Sequence, residues 1–382
     1  FNMFAGGALE RMSIFALGIL PYISAAIIMQ LMTAVSPTLE QLKKEGDTGR
    51  RQINQYTRYL TVALSAFQAY GLSVGLETMS GPAGSAVVDP GWFFRATTVI
   101  TIVGGTLFLM WLGEQITARG IGNGISLIIF TGIIATLPSA LFSTFELGRT
   151  GALSPVFIIF LVLMLVAVIT FVVFMERAQR RVLVQYPKQQ RGNRMVGGET
   201  SHLPLKLNSS GVIPAIFASS ILLMPSTLAS FGAGGGAGPE WLAVVSSLLG
   251  RGAPLFILLY AGLIIFFAFF YTSIVFNPQD TADNLKKHGG FIPGYRPGQR
   301  TADYLDYLLT RLTTVGALYL AAVCVLPEIL ISQYAVPFYF GGTSVLIVVS
   351  VTMDTVAQIQ SHLIAHQYEG LIKKAKLRGR RA

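Results

Sequence analysis

The stretch SPVFIIFLVLMLVAVITFVVFM (residues 154–175) carries no charge and is long enough to cross the hydrocarbon core of a bilayer as a helix. Comparable apolar runs recur along the chain and give nine candidate spans, at 13–36, 56–76, 95–113, 122–145, 154–175, 211–231, 254–276, 308–327 and 340–362. None of them alternates polar and apolar residues with a period of two, which argues against a transmembrane barrel. The sequence therefore predicts an all-α polytopic membrane protein.

Composition supports the same class. Of the 382 residues, 52% are hydrophobic and 12% are charged, whereas soluble domains carry about 25% charged residues. So apolar a chain is not intrinsically disordered, and its mean hydropathy of +0.60 favours lipid over water as the solvent of its surface. The net charge of +10 indicates anionic partners.

The basic residues are strongly asymmetric about the predicted spans. All but four of the 28 Lys and Arg residues fall on one side, which we call the basic face; the exceptions are Arg11, Arg95, Arg149 and Arg251. The positive-inside rule predicts that the basic face and the C-terminus are cytoplasmic. Nine spans then place Phe1 on the outer face, with no cleavable signal pattern before it. We therefore expect an additional N-terminal span to be missing from this sequence.

Few residues suit catalysis or metal binding. Cys324 is the single cysteine and lies in an apolar run, where a packed hydrophobe is the favoured interpretation. His362 and His366 have the spacing of a zinc helix but lack the neighbouring glutamate of that motif. Asp354 is the clear ionisable residue within the spans, with either a functional or a structural role. We expect no enzyme activity, no metal and no cofactor.

Three classes remain: a secondary transporter, a membrane-embedded enzyme, and a pore for a large cargo. The spans offer no cluster of catalytic side chains, and the GIGNG segment at 120–124 fits a tight turn between helices. Two basic loops, 176–210 and 277–307, are longer than topology requires. In the second loop, Pro293 and Pro297 flank a turn around Arg296. Such loops are typical of a docking platform for an anionic or acidic partner.

The chain resembles the SecY family of protein-translocation channels over essentially its whole length. The segments that carry the resemblance are FNMFAGGALERMSIFALGILPYISAAIIMQL (1–31), KKEGDTGRRQINQYTRY (43–59), FLMWLGEQITARGIGNGIS (108–126), HLPLKLNSSGVIPAIFASS (202–220), VFNPQDTADNLKK (275–287) and VPFYFGGTSVLIVV (336–349). The resemblance implies a SecY-type helical channel of two halves with inverted topology, with nine of the ten transmembrane helices present. A secondary transporter of another family is the alternative, which a liposome uptake assay would detect.

The resemblance also implies a division of the chain. Residues 1–12 would be part of a plug, 13–145 the N-terminal half with four spans, and 154–362 the C-terminal half with five. Residues 363–382 would be a cytoplasmic tail, and 176–210 with 277–307 the docking loops. Unfolded preproteins would cross through the pore, and apolar signal sequences would leave sideways into lipid. The location would be the bacterial plasma membrane, with a thylakoid version as the alternative.

Residues matching the family's functional positions fall into four groups. The pore ring comprises Ile19, Ile23, Ile125, Ile129, Ile216 and Ile347; the plug contains Phe4, Gly6 and Gly7; the lateral gate contains Pro21, Gln30, Gln68, Pro214, Ser219 and Ser220; and docking uses Lys188, Arg191, Arg194, Arg296 and Arg300. The glycines of the plug have a helix break as their alternative interpretation. The two prolines would bend the gate spans or produce a plain packing kink. The implied partners are SecE and SecG, the SecA ATPase, the ribosome with its nascent chain, preproteins and membrane lipids.

Overall fold

The computed structural model describes residues 13–78, 80–81, 84–85, 87–150, 154–191, 194–197, 200–222, 253–334 and 342–379. The helices are α1 Leu20–Val35, α2 Pro37–Lys44, α3 Asp47–Thr78, α4 Trp92–Arg119, α5 Gly124–Arg149, α6 Pro155–Arg177, α7 Ile213–Leu222, α8 Pro254–Val275, α9 Pro278–Lys287, α10 Gln299–Tyr334 and α11 Gly342–Gly379. The strands are β1 Ser80–Gly81, β2 Gly84–Ser85, β3 Gln179–Gln185, β4 Lys188–Arg191, β5 Arg194–Gly197 and β6 Thr200–Lys206.

Seven helices in the described part of the chain are long and apolar enough to cross a membrane: α3, α4, α5, α6, α8, α10 and α11. The pair α1 and α2, bent by 99° at Ser36, would add an eighth. The run predicted at 211–231 begins as α7, and its remainder lies outside the described residues. The prediction of an all-helical polytopic membrane protein is confirmed.

Helix bounds differ from the predicted runs at their polar ends. Helix α3 begins at Asp47, nine residues before the apolar run at 56, and α11 continues to Gly379. Hydropathy identifies the part of a helix that suits lipid, but backbone hydrogen bonding continues the helix into polar sequence. Residues 14–19, by contrast, form turns although they are apolar, so the run predicted from 13 becomes helical at Leu20.

The described residues form two compact units. One contains α1–α5 together with α11 from Ser344 onward, and the other contains α6–α10 and the first residues of α11. In the first unit, α3 contacts both α1 and α4. The buried face of α3 is a stripe of small side chains four residues apart: Thr57, Thr61, Ser65, Ala69 and Ser73. Small residues allow close approach of helix backbones in a membrane protein.

Hydroxyl groups on this stripe are satisfied within α3 itself. Thr57 donates to the carbonyl of Ile53 at 2.9 Å, and Thr61 donates to the carbonyl of Thr57 at 2.7 Å. A hydroxyl that bonds its own helix can be buried without an unpaired donor. The stripe is therefore suited to helix packing in lipid.

Two ion pairs join α3 to α4. Arg58 makes a two-pronged contact with Glu114, with Nε donating to Oε1 at 2.9 Å and Nη2 donating to Oε2 at 2.7 Å. Towards the other end of these helices, Arg95 donates to Glu77, whose second oxygen accepts from the backbone N–H of Gly91 at 3.1 Å. The Arg58–Glu114 pair could not be predicted from the sequence, because its partners are 56 residues apart.

In the second unit, α8 packs against α10 and α7. Cys324 on α10 is buried, as its apolar surroundings predicted. Phe217 on α7 makes an edge-on contact with Phe267 on α8, with ring centroids 5.4 Å apart. These aromatic contacts hold the first turns of α7 against α8.

The loop between α6 and α7 forms two hairpins, which the sequence analysis did not predict. Strands β3 and β6 pair antiparallel from Gln179–Lys206 to Gln185–Thr200, and β4 and β5 pair from Lys188–Gly197 to Arg191–Arg194. A hydropathy search for spans passes over such short strands. The signal was present in the short run VLV (182–184), which contains two β-branched residues, and in the two-residue Gly-Asn connection at 192–193.

Candidate docking surface and channel residues

The β3–β6 hairpin has one packed face and one exposed face. Its packed side chains share an apolar cluster with the 290s loop and α10, formed by Val182, Val184, Leu205, Ile292 and Leu305. Because strand side chains alternate between faces, Arg181 and Leu183 lie on the opposite side and are exposed. The hairpin thus exposes Arg181 above a packed apolar base.

The loop that follows α9 is fastened to this hairpin. Gln185 and Phe291 exchange two backbone hydrogen bonds, each 2.9 Å long. Gly290 lies so close to the Tyr186 ring that an added Cβ would come within 3.0 Å of it. The two basic loops identified in the sequence therefore form one packed body.

Arg296 sits on the turn between this loop and α10. Its carbonyl accepts a hydrogen bond from the Thr301 hydroxyl at 2.9 Å. The neighbouring Tyr295 stacks on Tyr304 of α10, with ring centroids 4.1 Å apart. The side chains of Arg296 and Arg300 are both exposed. The turn combines a fixed backbone with a free guanidinium, a favourable arrangement for binding carboxylate or phosphate.

Three further docking candidates lie on the second hairpin. Lys188 and Arg191 belong to β4, and Arg194 lies directly opposite Arg191 on β5. The plug candidates Phe4, Gly6 and Gly7 fall within residues 1–12, outside the described residues.

Helices α1 and α7 begin in the same way, one in each unit. Helix α1 starts within the segment Gly18-Ile19-Leu20-Pro21, and α7 starts within the segment Gly211-Val212-Ile213-Pro214. In each segment the helix begins at the third residue. The two glycines have left-handed φ angles of 56° and 62°, a conformation that glycine adopts readily. The two prolines are both fully buried. Ile23 and Ile216 are equivalent in this repeat, and each donates its N–H to the carbonyl four residues earlier.

The turn that precedes each of these two helices packs against a glycine on a neighbouring helix. In the first unit, an added Cβ at Gly105 on α4 would overlap the carbonyl oxygen of Ile14. In the second, an added Cβ at Gly316 on α10 would lie 2.7 Å from the carbonyl oxygen of Leu207. Ile14 and Leu207 each precede their left-handed glycine by four residues. We call each arrangement of carbonyl, glycine and helix start a joint.

Pro21 and Pro214 differ from the expectation that they bend their spans. Each is the second residue of its helix. The first N–H groups of a helix have no acceptor within it, so proline there removes no hydrogen bond and its fixed φ suits the first turn. These prolines start helices and do not kink them. Their assignment to the lateral gate stays a prediction.

The six pore-ring candidates divide between the units. Ile19 and Ile23 lie at the start of α1, Ile125 and Ile129 at the start of α5, and Ile347 near the start of α11, all in the first unit. Ile216 lies on α7 in the second. Ile19, Ile129 and Ile347 are buried, while Ile23, Ile125 and Ile216 are partly exposed.

The polar gate candidates differ in their surroundings. Ser219 donates to the carbonyl of Ile216 at 2.9 Å, while Ser220 and Gln30 are partly buried. Gln68 differs, because its buried Oε1 has no hydrogen-bond partner among the described residues. Asp354 lies exposed on α11, and the described residues contain no group of His, Cys, Asp or Glu side chains able to hold a metal ion.

Similar proteins fit this architecture. The sequence model of the SecY family matches residues 13–356. Protein translocase subunit SecY of Rickettsia typhi is 58% identical over 378 residues, covering 99% of this chain and 87% of that protein. The Escherichia coli K12 subunit of the same name is 58% identical over 384 residues, covering 99% and 85%.

Solved structures share the fold at low sequence identity. "The structure of a protein conducting channel" superposes with a TM-score of 0.65 at 17% identity, covering 92% of this chain and 82% of the other. "Sec61 in the Canine ribosome-channel complex from the endoplasmic reticulum" superposes with a TM-score of 0.61 at 17% identity, covering 92% and 82%.

The long apolar helices define a multi-pass membrane protein, and its fold is shared with a solved protein-conducting channel. The chain belongs to the SecY family, whose members are channel subunits of the protein translocase. It is therefore a channel and not an enzyme.

The joints predict a sharp difference between adjacent glycines. Gly105→Ala should lower the free energy of unfolding by about 1–3 kcal/mol, because the new Cβ must displace the carbonyl of Ile14. Gly104 on the same helix has open space around its missing Cβ. Gly104→Ala should therefore be neutral or stabilising by about 0.5–1 kcal/mol.

Thermal unfolding of the two variants in detergent measures this difference. Gly316→Ala and Gly262→Ala form the matched pair in the second unit, because Gly262 also has open space. Equal melting midpoints for both members of each pair would contradict the importance of the joints.

Proposed function

We propose that this chain conducts unfolded preproteins through a pore lined by the six isoleucines and releases apolar signal segments sideways between α1 with α3 and α7 with α8. The single observation that supports this most is the repeated helix start, which gives Ile23 and Ile216 equivalent positions in the two units. A pore built between two related halves needs equivalent residues from each half.

Isoleucine suits a pore ring that must exclude ions at rest and let a polypeptide pass during transport. A ring of apolar side chains excludes ions by dewetting when the pore is empty. The χ1 angle of isoleucine is stiff, so the collar keeps its shape. Around a moving chain, these side chains offer no hydrogen bond that would hold passing polar groups. An external motor supplies the driving force, so the channel needs no catalytic residues.

The lateral gate follows from the same physics. An apolar signal helix gains about 25 cal/mol for each Å² that it transfers from water to lipid. Hydrogen bonds between membrane helices contribute only about 0.6 kcal/mol each, which suits a seam that opens. The unpartnered Oε1 of Gln68 supports a gate role, because a buried acceptor normally finds a partner in some state of the protein.

Docking is proposed at the packed body formed by the β3–β6 hairpin and the turn around Arg296, together with Lys188, Arg191 and Arg194 of the second hairpin. The basic residues of these segments, with Arg181, Arg296 and Arg300 exposed, favour the acidic surface of the SecA ATPase or the RNA of a translating ribosome. Two similar solved channels are titled as ribosome complexes, from dog and from yeast. SecE and SecG would complete the membrane complex.

We place the protein in the bacterial plasma membrane with its basic face and C-terminus in the cytoplasm. The lysine and arginine asymmetry supports this orientation. Motor and ribosome are both cytoplasmic, so docking and topology require the same face.

The pore ring predicts ion leakage. Replacing Ile23, Ile125 and Ile216, the three partly exposed members of the proposed ring, with serine should leave the complex assembled but raise its resting conductance, because a polar collar stays wet. Planar-bilayer recording of the reconstituted complex measures this. Ile159→Ser with Ile169→Ser on α6 is the control, since both side chains are exposed on a helix outside the proposed ring. A multiply substituted ring that stays as tight as the parent would rule out the assignment.

Docking predicts a charge-reversal effect at Arg296. Arg296→Glu should stop SecA-driven transport while leaving folding intact, because the side chain is exposed. Arg296→Lys should retain part of the activity, since it keeps the charge but loses the planar fork. Protease protection of a preprotein in proteoliposomes measures transport.

Arg149→Glu provides the matched control, with the same change of charge at an exposed position on the opposite face. It should transport at the parental rate. Normal transport by Arg296→Glu would disprove the docking role.

A further inference from the structure

The base of the β3–β6 hairpin is closed by a buried side-chain network. Asn208 is 5% exposed, and its Nδ2 donates to Glu176 Oε1 at 2.7 Å and to the carbonyl of Gly211 at 3.2 Å. Its Oδ1 accepts from the Ser210 hydroxyl at 3.1 Å. The amide is therefore bonded through both of its ends, with a carboxylate as one partner.

These contacts connect three pieces of the second unit. Glu176 is the penultimate residue of α6, just before the chain enters β3. Asn208 follows β6, and Gly211 is the left-handed glycine two residues before α7. One side chain thus joins the end of α6, the exit of the hairpin and the start of α7.

The surrounding backbone is equally constrained. The N–H of Leu207 donates to the carbonyl of Ala178 at 3.0 Å, which extends the hairpin pairing by one step. The carbonyl of Leu207 rests on Gly316 of α10. Residues 207–211 are therefore the direct connection along the chain between the hairpin and α7.

The hairpin is able to transmit a displacement. Its apolar cluster with Ile292 and Leu305 makes it a packed body with the Arg296 turn. Packed bodies move as units and do not deform continuously. Charge-assisted hydrogen bonds in a buried site are among the stronger polar contacts, so the Asn208 network is a stiff connection.

We propose that Asn208 and Glu176 are positioning residues that couple a partner docked on the basic hairpin to the start of α7. This inference rests on the proposed docking function and specifies how docking reaches the helix that carries Ile216. The first unit has the same joint but no side-chain network of this composition in its described residues: positions 15 and 17, which match Asn208 and Ser210, are Phe and Leu. The coupling belongs to the half that carries the hairpin.

The test uses two dye positions in the full complex with a Cys324→Ala background. Leu183→Cys reports on the exposed face of the hairpin, and Ile221→Cys reports on an exposed position of α7. SecA is added, and the emission shift of each dye is recorded. We expect both dyes to respond in the otherwise unchanged protein.

Asn208→Leu should leave the emission shift of the hairpin dye and its dependence on SecA concentration unchanged. The emission shift of the α7 dye should fall at least about tenfold, because the loss of a charge-assisted hydrogen bond changes an equilibrium by about that factor. Glu176→Leu removes the same contact from the other side and replaces Asn208→Leu if that protein does not fold. Glu176→Gln keeps the acceptor oxygen and should retain most of the α7 response. If the contact were purely structural, its loss would lower the melting midpoint but would not make the emission shifts of the two dyes differ from each other.

The outcomes distinguish the two proposals. If the hairpin dye of the unchanged protein does not respond to SecA, the proposed docking of SecA on the hairpin is wrong. If the hairpin dye responds but the α7 dye does not, docking stands and coupling is wrong. Coupling is also wrong if both dyes respond fully in Asn208→Leu and Glu176→Leu.

Discussion

A carbonyl packed on a helix glycine is the contact on which both halves depend. It occurs between Ile14 and Gly105 and again between Leu207 and Gly316. Each contact holds the turn that precedes the helix. The turn ends at a glycine with a left-handed φ angle, Gly18 or Gly211, and α1 or α7 begins two residues later. Only glycine leaves enough room, because any Cβ would meet the oxygen. The location of every residue in the first turns of these helices follows from this restriction.

The segments that precede the two joints differ between the halves. In the first unit the joint follows residues 1–12, the expected plug, and in the second it follows the β3–β6 hairpin, the proposed docking surface. The same helix start thus follows two different segments of the chain. The hairpin side adds a buried polar network around Asn208, which the apolar turn before α1 does not have.

The sequence predicted the class, the approximate spans and the basic face, because hydropathy and charge asymmetry are properties of composition along the chain. It did not predict the hairpins, since β3 and β6 are short and their pairing depends on residues some 20 positions apart. From the sequence, Pro21 was also expected to bend its span, whereas it is the second residue of α1. Helix starts depend on where the preceding turn ends, and that is fixed by a contact with Gly105 on a distant helix.

The central claim is that Ile23 and Ile216 face the translocating chain. Photo-crosslinking from each position to a preprotein arrested during transport tests this most directly, with Ile159 on α6, which is 62% exposed, as the control position. We expect crosslinks to the preprotein from positions 23 and 216 and none above background from position 159. Crosslinks from position 159 alone, or from none of the three with a preprotein known to be arrested, would contradict the account.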